Sequence, residues 1–262
     1  MKARVISVVN QKGGVGKTTT AVNLSTIFAV MDKKVLIVDI DSQGNTSSGL
    51  GIKQTERKIT SYNVFSGLNS IRDAILATEV PNLSIVSANT NLAAIELDLI
   101  QLKNYENILL EKLEEIKNDF DYIIIDCPPS LGLITLNALV ACDEVLIPML
   151  CDFYSLEGLS HLLKTIEIVE KKMNPAIKIG GILFTMYDKR NKLTEQVEND
   201  VRTCLGKLVY KTTIPRNVKV SEAPSHGKAA IIYDYKCSGS RAYIDLAKEI
   251  IDSEVNKEIK LV

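Results

Sequence analysis

Short, almost unbroken runs of Val, Ile and Leu recur along the chain and alternate with longer segments patterned for helix. The runs are RVISVV, KVLIVDI, LSIVSA, YIIIDCPP, EVLIPML, IKIGGILFT and KLVYKTTIP. A strand with one face in water alternates apolar with polar residues, whereas a continuous apolar run suits a strand covered on both faces. The intervening segments, such as TTTAVNLSTIFAVM, NILLEKLEEIKNDF, LITLNALVAC, SLEGLSHLLKTIEIVEKKM, TEQVENDVRTCL and RAYIDLAKEIIDSEV, space their apolar residues as a helix face does. Strands separated by helices pair in parallel, because a parallel crossover needs a dozen or more residues. The expected fold class is therefore α/β, with three layers: a mostly parallel twisted sheet and helices on both faces. No repeat, low-complexity tract or Pro/Gly-rich linker divides the sequence, so residues 1–262 are expected to form a single domain.

Several function classes fall away on composition. The longest apolar run, GLITLNALVACDEVLIPML, is interrupted by Asp143 and Glu144 before it reaches the ~20 residues of a spanning helix, so no transmembrane segment is expected. Cys127, Cys142, Cys151, Cys204 and Cys237 are odd in number, form no C-x-x-C pair and follow no apolar secretion segment. They are expected to be reduced, buried small hydrophobes in the cytoplasm rather than metal ligands. The net charge of −1 argues against a generally basic nucleic-acid binder. Yet the window from Lys178 to Arg241 holds 12 Lys/Arg against 6 Asp/Glu, a net of +6 that leaves −7 for the rest. A solvated helical face explains such a window unless other features ask for a polyanion.

The stretch VISVVNQKGGVGKTTTAVNL, Val5 to Leu24, lies at the turn from the first apolar run into the first long helical pattern. Gly13, Gly14 and Gly16 let backbone amides close around phosphate oxygens, and the helix N-terminus adds partial positive charge. Lys17 can reach the β/γ-phosphates and the Thr18 hydroxyl can ligate Mg²⁺. The fit to G-x-x-x-x-G-K-[ST] is incomplete, because Gln11 stands where the first glycine would be. Spacing alone leaves the additional Lys12 as a solvated loop lysine. DIDSQGNTSSG places Asp39 and Asp41 just past the second run, and YIIIDCPPS places Asp126 at the end of another. Carboxylates at strand ends beside a phosphate cradle can hold magnesium and its waters and orient an attacking water.

The KGGVGKTT sequence, with Lys12 preceding the glycines, resembles the deviant Walker A motif of the ParA/MinD/NifH class of P-loop ATPases. The resemblance implies ATP bound by Lys12, Gly13, Gly14, Val15, Gly16, Lys17, Thr18 and Thr19, with Lys12 reaching across a homodimer to the other subunit's nucleotide. DxDxQGN resembles the switch I region of ParA proteins, which implies that Asp41 positions the hydrolytic water and Asp39 is a water-mediated magnesium partner. Asp126 and the residues after it resemble switch II, giving Thr18, Asp39 and Asp126 as the Mg²⁺ set and Lys12, Lys17 and Asp41 as the catalytic set. YSLEGLSHLLKTI resembles the helix after Walker B. TTIPRNVKVSEAPSHGKAAIIYDYKCSGSRAY closely resembles the C-terminal region of chromosomal-type ParA proteins, also called Soj, where the IPRN turn lies near adenine and makes Pro215 a candidate base contact. The same resemblance gives the basic window a purpose: non-specific double-stranded DNA binding through Arg190 and Arg216, with Lys189, Lys192, Lys211, Lys219, Lys236 and Arg241 as helpers. It implies slow ATP hydrolysis stimulated by a ParB-like centromere-binding protein, a role in chromosome or plasmid partitioning, and a cytoplasmic, nucleoid-associated location without a membrane partner.

Rival readings make different demands on the sequence. A MinD-like membrane-surface ATPase would end in a basic amphipathic helix, but IIDSEVNKEIKLV mixes Asp252, Glu254 and Glu258 with its lysines. An iron–sulfur protein of the NifH type would need cysteines that are not so arranged here. A P-loop small-molecule synthetase fits the phosphate motifs but leaves the IPRNVKVSEAPSHGK match and the charge asymmetry unexplained.

Overall fold

The computed structural model describes residues 2–259, the side chains of 254–259 excepted. Seven strands form one sheet: β1 (Arg4–Val8), β2 (Val35–Asp39), β3 (Ile75–Ala77), β4 (Leu83–Val86), β5 (Tyr122–Asp126), β6 (Glu144–Met149) and β7 (Lys178–Phe184), in the order β3-β4-β2-β5-β1-β6-β7. Every pairing is parallel except β3 with β4. The longer helices are α1 (Lys17–Val30), α2 (Ile108–Glu114), α3 (Leu133–Ala141), α4 (Phe153–Lys172), α5 (Lys192–Leu205) and α6 (Ser238–Ile259).

The continuous apolar runs are divided by the pleat between two cores. Val5, Leu36, Val38, Ile123, Ile125, Val145 and Ile147 join one cluster with residues of α2, α3, α4 and α5. Ile6, Val8, Val35, Ile37, Ile124 and Leu146 join the other with α1 and α6. This is the expected three-layer arrangement, and none of the helices among the described residues is long and apolar enough to cross a membrane. The last residues of the C-terminal stretch weighed against a membrane anchor, Lys260 to Val262, lie outside the described residues.

Two expectations need correction, and one strand was not foreseen. KLVYKTTIP is not a strand: Val209 and Pro215 make only isolated bridges, to Ile182 and Tyr187. The amides of Tyr210 and Ile214 still reach the Ile182 and Phe184 carbonyls of β7, but those between are diverted, since Lys211 and Thr212 donate to the Glu249 carboxylate of α6 at 2.7 and 3.0 Å. The short antiparallel β3 at the sheet edge has no apolar run long enough to announce it. Of the five cysteines only Cys127 and Cys142 are buried, and Cys204, on the outer face of α5, is exposed.

Topology fixes where a ligand can sit. β1 lies between β5 and β6, so the chain moves to one side of β1 after its first strand and to the other after its fifth. Such a reversal opens a crevice at the carboxyl ends of the strands. Register brings Val8 and Asp39 level with Asp126 there.

Candidate active site

The loop after β1 is shaped by glycine. Gly14 and Gly16 have φ of +73° and +84°, a left-handed conformation that side-chain-bearing residues rarely adopt. A Cβ on Gly13 or Gly14 would meet no heavy atom within 4 Å, so this stretch borders open space that a ligand can fill. Gly16 precedes α1 without any side-chain cap, which leaves first-turn amides for an anion. Polar side chains hold the loop from behind. Asn10 donates to the Pro148 carbonyl at 2.8 Å and accepts from the Lys12 amide at 2.9 Å. Thr185, at the end of β7, donates to the Val15 carbonyl at 2.8 Å, with the Met149 carbonyl 3.2 Å away.

Lys17 and Lys12 are placed differently. Lys17 is buried, and its Nζ crosses the loop to donate to the Lys12 carbonyl at 3.0 Å. Burial lowers its pKa, and the nearby Asp126 works the other way. Lys12 instead pairs with Asp152 at 2.6 Å, each side chain about a third exposed. Asp152 caps α4 by accepting from the Ser155 amide at 3.0 Å. Partial burial opposes its ionisation, but the bonds from Lys12 and Ser155 hold its pKa below the usual carboxylate value. Lys12 borders a separate hollow of about 280 Å³ with Tyr154, Glu157 and His161, flanked by the exposed rings of Phe153 and Tyr154.

Three carboxylates gather beside the cradle. Asp126 is fully buried; its Oδ2 accepts from Thr18 at 2.8 Å and Thr46 at 2.5 Å, while its Oδ1 has no partner. Such an orphaned oxygen beside a threonine hydroxyl fits a magnesium site, as does the oxygen-only donor set. Asp39, also fully buried, accepts from the Ser47 amide and hydroxyl at 3.0 and 2.7 Å and from the Asp41 amide at 3.2 Å. Its carboxylate therefore organises the loop after β2, which leaves it less capacity for metal than Asp126 has. Burial and the neighbouring carboxylate push Asp39 up, and burial pushes Asp126 up, so the pair resists full ionisation without a cation. Asp41 is buried and uses one oxygen to accept from the Gln43 amide at 3.0 Å, closing a turn.

Pro215 lines a cleft of about 270 Å³ with Gly16, Thr19, Thr185, Asn217 and Tyr243, contiguous with the cradle. The helix start is fastened to α6 there by a 3.2 Å hydrogen bond between the hydroxyls of Thr20 and Tyr243. The four basic residues of interest lie on adjacent surface segments: Lys189 and Arg190 in the loop after β7, Arg216 beside Pro215, and Lys219 on the next turn. Backbone bonds between Tyr187 and Ile214, and between Arg216 and Tyr187, join the two segments. All four are exposed. Two carry local counter-ions, Arg190 with Asp188 at 2.8 Å and Lys219 with Glu222 at 2.9 Å.

Sequence reasoning missed Thr46, Arg57, Asp152 and Thr185, which fix the loops that carry the recognised residues. Arg57 is the least foreseeable, because KQTERKIT reads as an ordinary charged loop; its guanidinium is buried among carbonyls of three segments.

The model of a family described as an AAA domain matches residues 3–179. The chain is 48% identical over 259 residues to the chromosome partitioning protein ParA of Caulobacter vibrioides, covering 98% of this chain and 97% of that one. It is 49% identical to the sporulation initiation inhibitor protein Soj of Bacillus subtilis, covering 94% and 98%. Among solved structures, cobyrinic acid a,c-diamide synthase from Mycobacterium smegmatis with bound ADP and magnesium superposes with a TM-score of 0.82 at 33% identity, covering 94% of this chain and 93% of that chain.

Proposed function

The chain belongs to the ParA/Soj family of P-loop partitioning ATPases, and from that premise we propose that it is an ATP-driven dimerisation switch that holds DNA without regard to sequence. It is an ATPase that works with ATP and Mg²⁺. In the proposed cycle a single domain spanning residues 1–262 binds ATP, dimerises, engages the nucleoid from the cytoplasm, and releases it on hydrolysis when a ParB-like partner stimulates turnover. The cargo is a chromosome or a plasmid.

The observation that carries this reading is the division of labour between the two lysines of one loop. A subunit needs one ammonium across its own cradle, and Lys17 is there. Lys12 is held in another hollow by Asp152, next to exposed aromatic rings, where a second subunit can bring it to its own nucleotide. An added positive charge matters most as charge spreads over the phosphoryl oxygens in the transition state, so supplying it from a partner makes hydrolysis depend on assembly.

The remaining residues divide as follows. Amides of Gly13 to Thr19 and the ammonium of Lys17 bind the phosphates, and Pro215 borders the base. Thr18, Asp126 and, through water, Asp39 would hold magnesium, which supplies charge neutralisation on the phosphates. Asp41 orients the attacking water. Arg190, Arg216, Lys189 and Lys219 contact DNA phosphates, which need distributed cations and no base-reading side chains.

The test is binding to a random-sequence duplex with ATP, ADP or no nucleotide at two salt concentrations, with anionic liposomes alongside. The expected result is salt-sensitive DNA binding with ATP alone and none to lipid, made persistent by Asp41→Ala. Lipid binding without DNA binding would replace this reading with a membrane-surface ATPase. Binding to neither would favour a small-molecule synthetase, the activity named for the M. smegmatis relative.

A further inference from the structure

The loop after β2 is held on two sides. Toward the cradle, Ser47 donates to Asp39 and Thr46 donates to Asp126. On the far side stands Arg57, whose side chain leaves only 9% of the residue exposed. Its Nη1 donates to the carbonyls of Gly44 at 3.3 Å and Ala88 at 3.2 Å. Its Nη2 donates to the Ser48 hydroxyl and the Ile52 carbonyl, both at 2.8 Å, and its Nε to Ile52 again at 3.2 Å. One guanidinium thus ties the segment following Asp41, the short helix Asn45–Gly49, its exit and the residues just after β4 into a single body.

Packing around this clamp leaves little tolerance. Gly44 sits at φ +61°, and a Cβ there would lie 2.5 Å from Arg57 Nη1 and 2.9 Å from the Ala88 carbonyl oxygen. The Gly44 amide in turn donates to the Asp41 carbonyl at 2.9 Å, so two hydrogen bonds through Gly44 connect the arginine to the Asp41 backbone. The planar fork of arginine can serve several acceptors at fixed angles, which the single nitrogen of lysine cannot. Burying a guanidinium is unfavourable unless its donors are met and its charge balanced. Here carbonyl oxygens meet the donors, and the buried Asp39 carboxylate supports the charge.

We infer that Arg57 is a positioning residue for hydrolysis, which sets the conformation of the Asp41-to-Ser48 loop and so the place of the water that Asp41 orients. The inference rests on the reading of Asp41 given above. It assigns Arg57 no contact with nucleotide. Misplacement of a reacting group by about an ångström costs on the order of 10²-fold in rate, whereas ground-state binding to the cradle, built on β1 and α1, is insensitive to it.

The experiment compares wild type, Arg57→Lys, Arg57→Ala and Asp41→Ala in Mg²⁺-dependent ATP turnover, ADP affinity and thermal midpoint. Arg57→Lys keeps charge and bulk and is the variant that tests the idea if Arg57→Ala fails to fold. The expected result is a fall in kcat approaching about 10²-fold, with KM and ADP affinity within a few-fold of wild type, and partial recovery of Arg57→Ala by millimolar guanidinium that leaves wild type unchanged. Full turnover in Arg57→Lys, or a loss matched by an equal loss of ADP affinity or of folded protein, overturns the inference. Turnover retained by Asp41→Ala overturns the reading of Asp41 instead, so the two failures are told apart.

Discussion

If Lys12 acts on the other subunit's nucleotide, the Lys12–Asp152 pair must break in both subunits when the dimer forms, and removing it should tighten the dimer. The substitution is Asp152→Asn, which deletes the charge but keeps a side chain able to cap α4. The pair is 2.6 Å long and each side chain is about a third exposed. Ion pairs this open contribute roughly 0.2–1 kcal/mol. Two are broken per dimer, so about 0.4–2 kcal/mol is returned, which is about a 2- to 30-fold lower dissociation constant at 1.4 kcal/mol per tenfold. The measurement is sedimentation velocity over a concentration series with ATP and Mg²⁺, in an Asp41→Ala background so that nucleotide is not consumed. The same substitution in a Lys12→Ala protein closes a double-mutant cycle and should do nothing there. A dimer that is unchanged or weaker refutes the reasoning, and so does equal tightening without Lys12.

Other consequences follow from single contacts. Thr185→Val keeps the shape but leaves buried carbonyl oxygens of Val15 and Met149 without that hydroxyl; a cost of about 1–3 kcal/mol predicts a thermal midpoint lower by roughly 2–12 °C in scanning calorimetry. Asp39 and Asp126 have folded pKa values raised above the unfolded ones, so the stability they contribute is complete below the ordinary carboxylate range and is lost as pH rises toward neutrality. The thermal midpoint of the nucleotide-free protein should therefore fall across that window, and fall less in Asp39→Asn; an Asp39→Asn midpoint that falls as steeply as that of wild type would contradict this. Arg190→Glu should spare ATP-dependent dimerisation, abolish or strongly weaken duplex binding and lower the slope of log affinity against log salt by about 1 or more; a monomeric variant would show that the surface is misplaced.

The sheet and the cradle were legible because their causes are local. Strands covered on both faces must be apolar throughout, and a loop that closes on phosphate must supply glycines, a lysine and a hydroxyl within a few residues, so β1, α1, Asp39 and Asp126 stand where the chain announces them. What the sequence concealed depends on partners distant along the chain. Lys211 and Thr212 look like strand residues until Glu249, on the last helix, takes their amides. Thr185 is one more threonine after an apolar run until the fold sets it against Val15, 170 positions earlier. Arg57 is harder still, since an arginine in a charged loop is ordinarily solvated and only the convergence of Gly44, Ser48, Ile52 and Ala88 makes burying it favourable. The residues proposed for the chemistry are thus written in motifs, whereas the groups that hold them in register are fixed by topology. Substitutions of the second kind should alter turnover while leaving every recognisable motif intact.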